Sequence, residues 1–121
     1  MKLDMTILYV TDVAGSTDFF QKALGLPPAE VSPGFALFLV PGGVKLGLWK
    51  RDAVKPAVNG PGLSCELVLH VDEEHEVERL HDGWKAQGLA IVDPPTRREF
   101  GYSFTAEGPD GERLRVLKAE G

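Results

Sequence analysis

Cysteine occurs once in the 121 residues, at Cys65, so neither an intrachain disulfide nor a multi-cysteine metal cluster is available. Its neighbours Ser64 and Glu66 bring no cation to activate a thiolate, and it reads as an ordinary strand residue. Histidine is nearly as scarce, with only His70, His75 and His81. The last two stand six residues apart on a predicted helix, whereas two ligands share a helix face at a spacing of about three or four. No apolar run approaches the roughly 20 residues of a membrane-spanning helix, and the opening Met1-Lys2-Leu3-Asp4 leads to no small-residue cleavage site. A soluble, cytoplasmic, unprocessed chain with no membrane partner is expected. Basic clusters are missing too: 13 Lys and Arg stand against 18 Asp and Glu, a net charge of -5, which argues against a nucleic-acid partner. The longest acidic run, Asp72-Glu73-Glu74, reads as a solvated turn between a strand and a helix.

What is present is ample apolar material, 43% of the residues, in a length suited to one domain. Half of such a chain would bury only about 60% of its unfolded surface and would be marginal alone, so an internal repeat should share its core with its copy. Met5 to Val10 is rich in β-branched and aromatic types and predicts a strand. A helix follows, with Ser16-Thr17-Asp18 as its expected cap, Phe19, Phe20, Ala23 and Leu24 at helical spacing, and Gly25 as its stop. Pro33-Gly34 turns into the strand 35–40, and Pro41-Gly42-Gly43 turns that into the strand 44–49.

After residues with little periodicity the pattern recurs. Glu66 to Val71 predicts a strand, and Glu73 to Gln87 a helix with Val77, Leu80, Trp84 and His81 toward its apolar side, closed by Gly88. A short strand at 89–92 is expected to end before Asp93-Pro94-Pro95, with two more strands at 101–105 and 112–118 around the turn Pro109-Asp110-Gly111. The segments from Val10 to Gly25 and from Val71 to Gly88 are the same strand-helix unit about 61 residues apart. The reading is α+β, βαβββ twice, in one domain: module 1 at about 3–54, a linker at about 55–63 and module 2 at about 64–119.

Tyr9-Val10-Thr11-Asp12, then Ser16 with Phe20-Gln21-Lys22-Ala23-Leu24-Gly25-Leu26, and later Gly101-Tyr102 with Gly108-Pro109-Asp110-Gly111, carry a likeness in this order and spacing. Over essentially its whole length the chain resembles the vicinal-oxygen-chelate superfamily of glyoxalases, bleomycin-resistance proteins and extradiol dioxygenases. The resemblance implies mixed, mostly antiparallel sheets cupped around a cavity, with helices outside, and a homodimer. It also implies four metal-ligand positions, which fall here on Met5, Gly47, Glu66 and Arg115. Only Glu66 has a donor for a metal, and arginine cannot shed its proton to become one. No metal and no cofactor are therefore expected.

Strand alternation assigns the faces. Leu8 and Val10, Leu46 and Leu48, Leu67 and Leu69, and Leu114 and Val116 claim the helix side. Left for the cavity are Met5, Ile7 and Tyr9, Gly47 and Trp49, Glu66, Val68 and His70, and Arg115; Tyr102 completes the expected ligand contacts. Gly47 next to Trp49 is expected to leave room for a ring over the sheet. For Trp49 the plainer alternative is an edge or interface residue, and for His70 a satisfied structural histidine. The inventory suits apolar walls with a few placed polar groups, hence recognition more than chemistry. The resemblance points to the bleomycin- and phenazine-resistance branch, metal-free binders of planar or aromatic molecules. The rival is a metal-dependent lyase, isomerase or dioxygenase drawing on Glu66, His70, Glu99 and Glu107; Ser64 and Ser103 have no histidine with a claim to proximity.

Overall fold

The computed structural model describes residues 4–55, 57 and 65–120. Most of the expected linker, and Ser64 with it, lies outside the described residues. The chain divides into two units, Met1–Gly62 and Leu63–Gly121, each with one α-helix and one four-stranded sheet among the described residues.

In the first unit, module 1, the β-branched and aromatic run Met5–Val10 forms β1, and α1 spans Val13–Leu24. The helix starts a turn before the expected Ser16-Thr17-Asp18 cap. Asp12 is the extended residue ahead of it, and the Ser16 N–H already donates to the Asp12 carbonyl at 3.0 Å. Ser16 is fully buried, so it belongs to the packed face of α1 and is not at its entrance. Gly25 closes the helix in the left-handed conformation, φ 69°, as its lack of Cβ permits. Next come β2 (Glu30–Ser32), β3 (Phe35–Val40) and β4 (Val44–Lys50) in the sheet order β1-β4-β3-β2, with only the β1–β4 pair parallel. The three exposed residues of β2 carry no alternation, which is why the sequence does not announce them.

Between α1 and its sheet lie Leu8, Val10, Phe20, Ala23, Phe38, Leu46 and Leu48, with the Phe20 and Phe38 rings 6.4 Å apart. Burying each large side chain here stabilises by about 1.5–3 kcal/mol, and this pins the register of β4, since a one-residue slip would expose Leu46 and Leu48.

Module 2 repeats the plan with β5 (Glu66–His70), α2 (Glu74–Ala86), β6 (Ala90–Arg98), β7 (Gly101–Glu107) and β8 (Arg113–Ala119), in the order β5-β8-β7-β6. Again the pair of first and last strands, β5 and β8, is the parallel one. Trp84 of α2 meets the buried Phe104 edge-on at 5.0 Å, and His81 meets it at 5.4 Å. The strand expected at 89–92 runs on to Arg98, through Pro94-Pro95. It can do so because β6 is an edge strand whose pairing to β7 shifts register between Ile91 and Asp93 and again between Asp93 and Thr96; prolines at bulges forfeit no ladder bond.

Candidate functional site

The face of each sheet turned away from its helix carries the candidate side chains. In module 1 the parallel register sets Met5 beside Lys45, Ile7 beside Gly47 and Tyr9 beside Trp49. Met5, Ile7 and Tyr9 remain 38–39% exposed, while Leu8 and Val10 on the alternate positions are buried. The antiparallel partner of Trp49 is Phe35. Tyr9, Trp49 and Phe35 thus form an aromatic row across β1, β4 and β3. Ring centroids lie 6.4 Å apart for Tyr9 and Trp49, 6.5 Å for Phe35 and Trp49, at interplanar angles of 77° and 83°. Neither neighbour stacks flat on the indole.

The open space expected above Gly47 is not there. A Cβ built on Gly47 would lie 3.0 Å from Cζ of Phe35, 3.2 Å from its Cε1 and 3.3 Å from Cγ1 of Ile7. The glycine makes room for the chain's own ring, which is why it is buried. Sequence reasoning missed Phe35, although the hairpin could have revealed it: a turn at 41–43 pairs Val40 with Val44 and so Phe35 with Trp49.

In module 2 the corresponding face is polar. The register gives Glu66 beside Arg113, Val68 beside Arg115 and His70 beside Leu117, with Thr105 and Ser103 facing Arg115 and Leu117 from β7. Glu66, Val68 and His70 are exposed. Arg115 is held from three directions: its Nε donates to the Glu66 carboxylate at 2.5 Å, one terminal nitrogen donates to the Ser103 hydroxyl at 3.1 Å, and its guanidinium lies 5.3 Å from the Phe100 ring centre. Ser103 and Phe100 carry no motif that would have singled them out.

Tyr102 stands on the other side of the sheet. Phe104 is claimed by α2, and the period of two sends Tyr102 the same way, where its hydroxyl donates to Glu78 at 3.4 Å and Arg97 lies over its ring at 5.0 Å. It is a brace between α2 and the β6–β7 edge, removed from the expected ligand contacts, and its phenol is pushed up from its ordinary pKa by burial and by the Glu78 carboxylate.

Equivalent registers show how far the two copies have diverged. Met5, Ile7, Tyr9, Gly47 and Trp49 correspond to Glu66, Val68, His70, Arg115 and Leu117. One face became aromatic; the other became a set of hydrogen-bonding groups.

The described donors do not converge as a divalent metal would require. Such ions need several oxygen, nitrogen or sulfur donors converging on one point. Among the described residues no three His, Cys, Asp or Glu side chains are so grouped. Glu66 is engaged by Arg115, Glu107 lies 3.6 Å from Arg113, and Glu99 is exposed in the turn between β6 and β7.

Two recesses among the described residues bear on the choice of site. One of about 460 Å³ in module 2 is lined by Cys65, Glu66, Glu107, Gly111, Arg113 and Arg115. Another of about 690 Å³ in module 1 lies by the start of α1 against β2, lined by residues such as Asp12, Thr17, Val31 and Lys50. The larger one contains no aromatic ring and none of the expected contacts, so size alone does not identify the site.

The family described as Glyoxalase/Bleomycin resistance protein/Dioxygenase superfamily matches residues 2–116. The phenazine antibiotic resistance protein EhpR of Enterobacter agglomerans is 26% identical over 116 residues, which span 93% of this chain and 88% of that one. The solution NMR structure of a protein from Agrobacterium tumefaciens is 44% identical, with a TM-score of 0.86 over 100% of this chain and 99% of that one. A glyoxalase/bleomycin resistance protein/dioxygenase from Nocardioides has the same fold at 21% identity, with a TM-score of 0.81 over 100% of this chain and 86% of its own. With two βαβββ modules and a family match across nearly its whole length, this chain belongs to the glyoxalase, bleomycin-resistance and dioxygenase superfamily.

Proposed function

We propose that this protein binds and sequesters a small planar aromatic molecule without a metal and without transforming it, in the manner of a resistance protein. The observation that carries the reading is the row Tyr9, Trp49 and Phe35, an indole with two aromatic neighbours and no flat stacking partner in either. Offset stacking on such a ring adds about 0.5–1.5 kcal/mol beyond burial, and it suits any flat heteroaromatic ligand. Likeness to a phenazine antibiotic resistance protein supports the same ligand class. Protection by sequestration is mass action: a Kd of about 1 μM corresponds to about 8.2 kcal/mol, enough when the protein is as abundant as the toxin.

Titration with phenazine, followed by tryptophan fluorescence, tests this. Trp49→Ala should weaken binding by about 10- to 100-fold, at about 1.4 kcal/mol per decade. Trp84→Phe, in the core under α2, should leave it nearly unchanged. Quenching that survives Trp49→Phe and vanishes in Trp84→Phe would place the aromatic wall elsewhere. Protein purified without chelator should hold far less than one zinc, iron, nickel or manganese per chain; a stoichiometric metal lost in Glu66→Gln would bring the enzyme reading forward. We further propose a homodimer, since Met5, Ile7, Tyr9 and Leu39 leave apolar surface exposed on the face opposite α1. Light scattering at concentrations spanning the binding assay decides it, and a monomer with full affinity would refute it.

A further inference from the structure

We propose that the recess around the Glu66–Arg115 pair in module 2 is a binding site for an uncharged group that both accepts and donates hydrogen bonds, a carboxamide on an aromatic ring, and that Glu66 sets its preference against carboxylates. The inference concerns module 2 alone and does not depend on the aromatic row of module 1.

Arg115 is a prearranged donor. Its side chain is only 17% exposed, and contacts from β5, from β7 and from the β6–β7 turn fix the guanidinium in one orientation. A guanidinium has five N–H groups, of which Glu66 and Ser103 take two. The three N–H groups that Glu66 and Ser103 leave are hydrogen-bonding capacity for a ligand. The recess of about 460 Å³ has room for a single ring and its substituent.

Charge decides which substituent. The recess walls hold two arginines, Arg113 and Arg115, and two carboxylates, Glu66 and Glu107, and each arginine is matched to one carboxylate, at 3.6 and 2.5 Å. An incoming carboxylate finds donors on Arg115 but meets two fixed negative charges; an ammonium meets the converse. A carboxamide avoids both. Its carbonyl oxygen accepts from the guanidinium while its NH2 donates to a carboxylate, the pattern that an adjacent arginine and glutamate present side by side. Phe100, 47% exposed, lies against the guanidinium from the β6–β7 turn and helps to fix it.

The test uses the full chain, labelled with nitrogen-15, and two probes of equal shape, benzamide and benzoate, with the Arg115 Nε–H resonance as readout. Benzamide should shift that resonance saturably and bind about tenfold more tightly than benzoate at neutral pH. In Glu66→Gln, which removes the charge and keeps the shape, benzoate should gain at least about tenfold and the order should reverse. Arg115→Lys, checked for folding by circular dichroism, should weaken both. Benzoate equalling benzamide in the wild type, a ratio unchanged by Glu66→Gln, or no movement of the Arg115 resonance with either probe up to on the order of 100 mM would each overturn the proposal. The aromatic row is read separately, by Trp49 fluorescence with phenazine, so either reading can fail while the other stands.

Discussion

At Gly47 the strand lacks a side chain because the Phe35 ring occupies the space, with Ile7 closing it from β1. Gly47→Ala would place a methyl 3.0–3.3 Å from three carbon atoms of those two side chains, closer than ordinary packing. The ring can swing aside, but overpacking of this kind commonly costs about 1–3 kcal/mol. Urea unfolding should show that loss in Gly47→Ala and recover most of it in Gly47→Ala/Phe35→Leu; equal losses in both would mean the backbone, not the ring, requires the glycine. The same pair shows what the sequence revealed of the candidate site. Period-two alternation placed Met5, Ile7, Tyr9 and Trp49 on one face from their own strand. Finding Phe35 required pairing two strands, and finding that Ser103, Phe100 and Glu66 converge on Arg115 required three elements at once. Tyr102, expected among the ligand contacts, shares the α2 side of the sheet with Phe104, as counting two residues back along β7 shows.

Among the elements, two glycines with positive φ mark very different constraints. Gly25 ends α1 at φ 69° with nothing within 4 Å of where a Cβ would go, so Gly25→Ala is charged only for conformation, about 1 kcal/mol. Gly101 opens β7 at φ 143°, and a Cβ there would collide with the Lys118 carbonyl oxygen and approach Ala119 Cα to 3.0 Å. Both obstacles are backbone of the paired strand β8, which cannot rotate away. Gly101→Ala should therefore cost at least about twice as much as Gly25→Ala, by thermal or urea unfolding. A milder effect would show that the β7–β8 ladder yields at its end. Both helices and the glycines that follow them were legible, because apolar spacing followed by glycine is a local signal. The start of α1 and two strands were not: Ser16 lies inside the helix, β2 has no buried residue to set a period, and β6 is held by register shifts that a sequence rich in proline reads as a break.

Over the whole molecule the excess of acidic residues, 18 against 13 basic, means that stability below neutral pH follows the carboxylates, and two of them pull in opposite directions. Glu74 is exposed and hydrogen-bonded to Arg97 at 2.9 Å, which holds its carboxyl below the usual 4.5. Its contribution is present above that value and is lost as pH falls through the lowered one; it is also screened by salt, as exposed pairs are. Glu112, 5% exposed, is pushed above 4.5 chiefly by burial, and the nearby Asp110 charge adds to this, though its Oε1 accepts the Asp110 N–H at 3.2 Å. Here the folded state binds the proton more tightly than the unfolded state does. The contribution is complete below about 4.5 and disappears as pH rises through the raised value, so at neutral pH the fold carries a desolvated charge. Glu112→Gln keeps an oxygen for the Asp110 N–H and removes that charge. Urea midpoints measured from about pH 4 to about pH 8 should show the variant gaining on the wild type as pH rises, with the two converging at the acid end. Arg97→Gln should do the reverse, losing stability near neutrality and converging with the wild type only in acid. If Glu112→Gln instead weakens the protein at about pH 8, the backbone N–H groups of the 108–112 turn hold the carboxylate more strongly than burial penalises it, and the sign of its linkage is inverted.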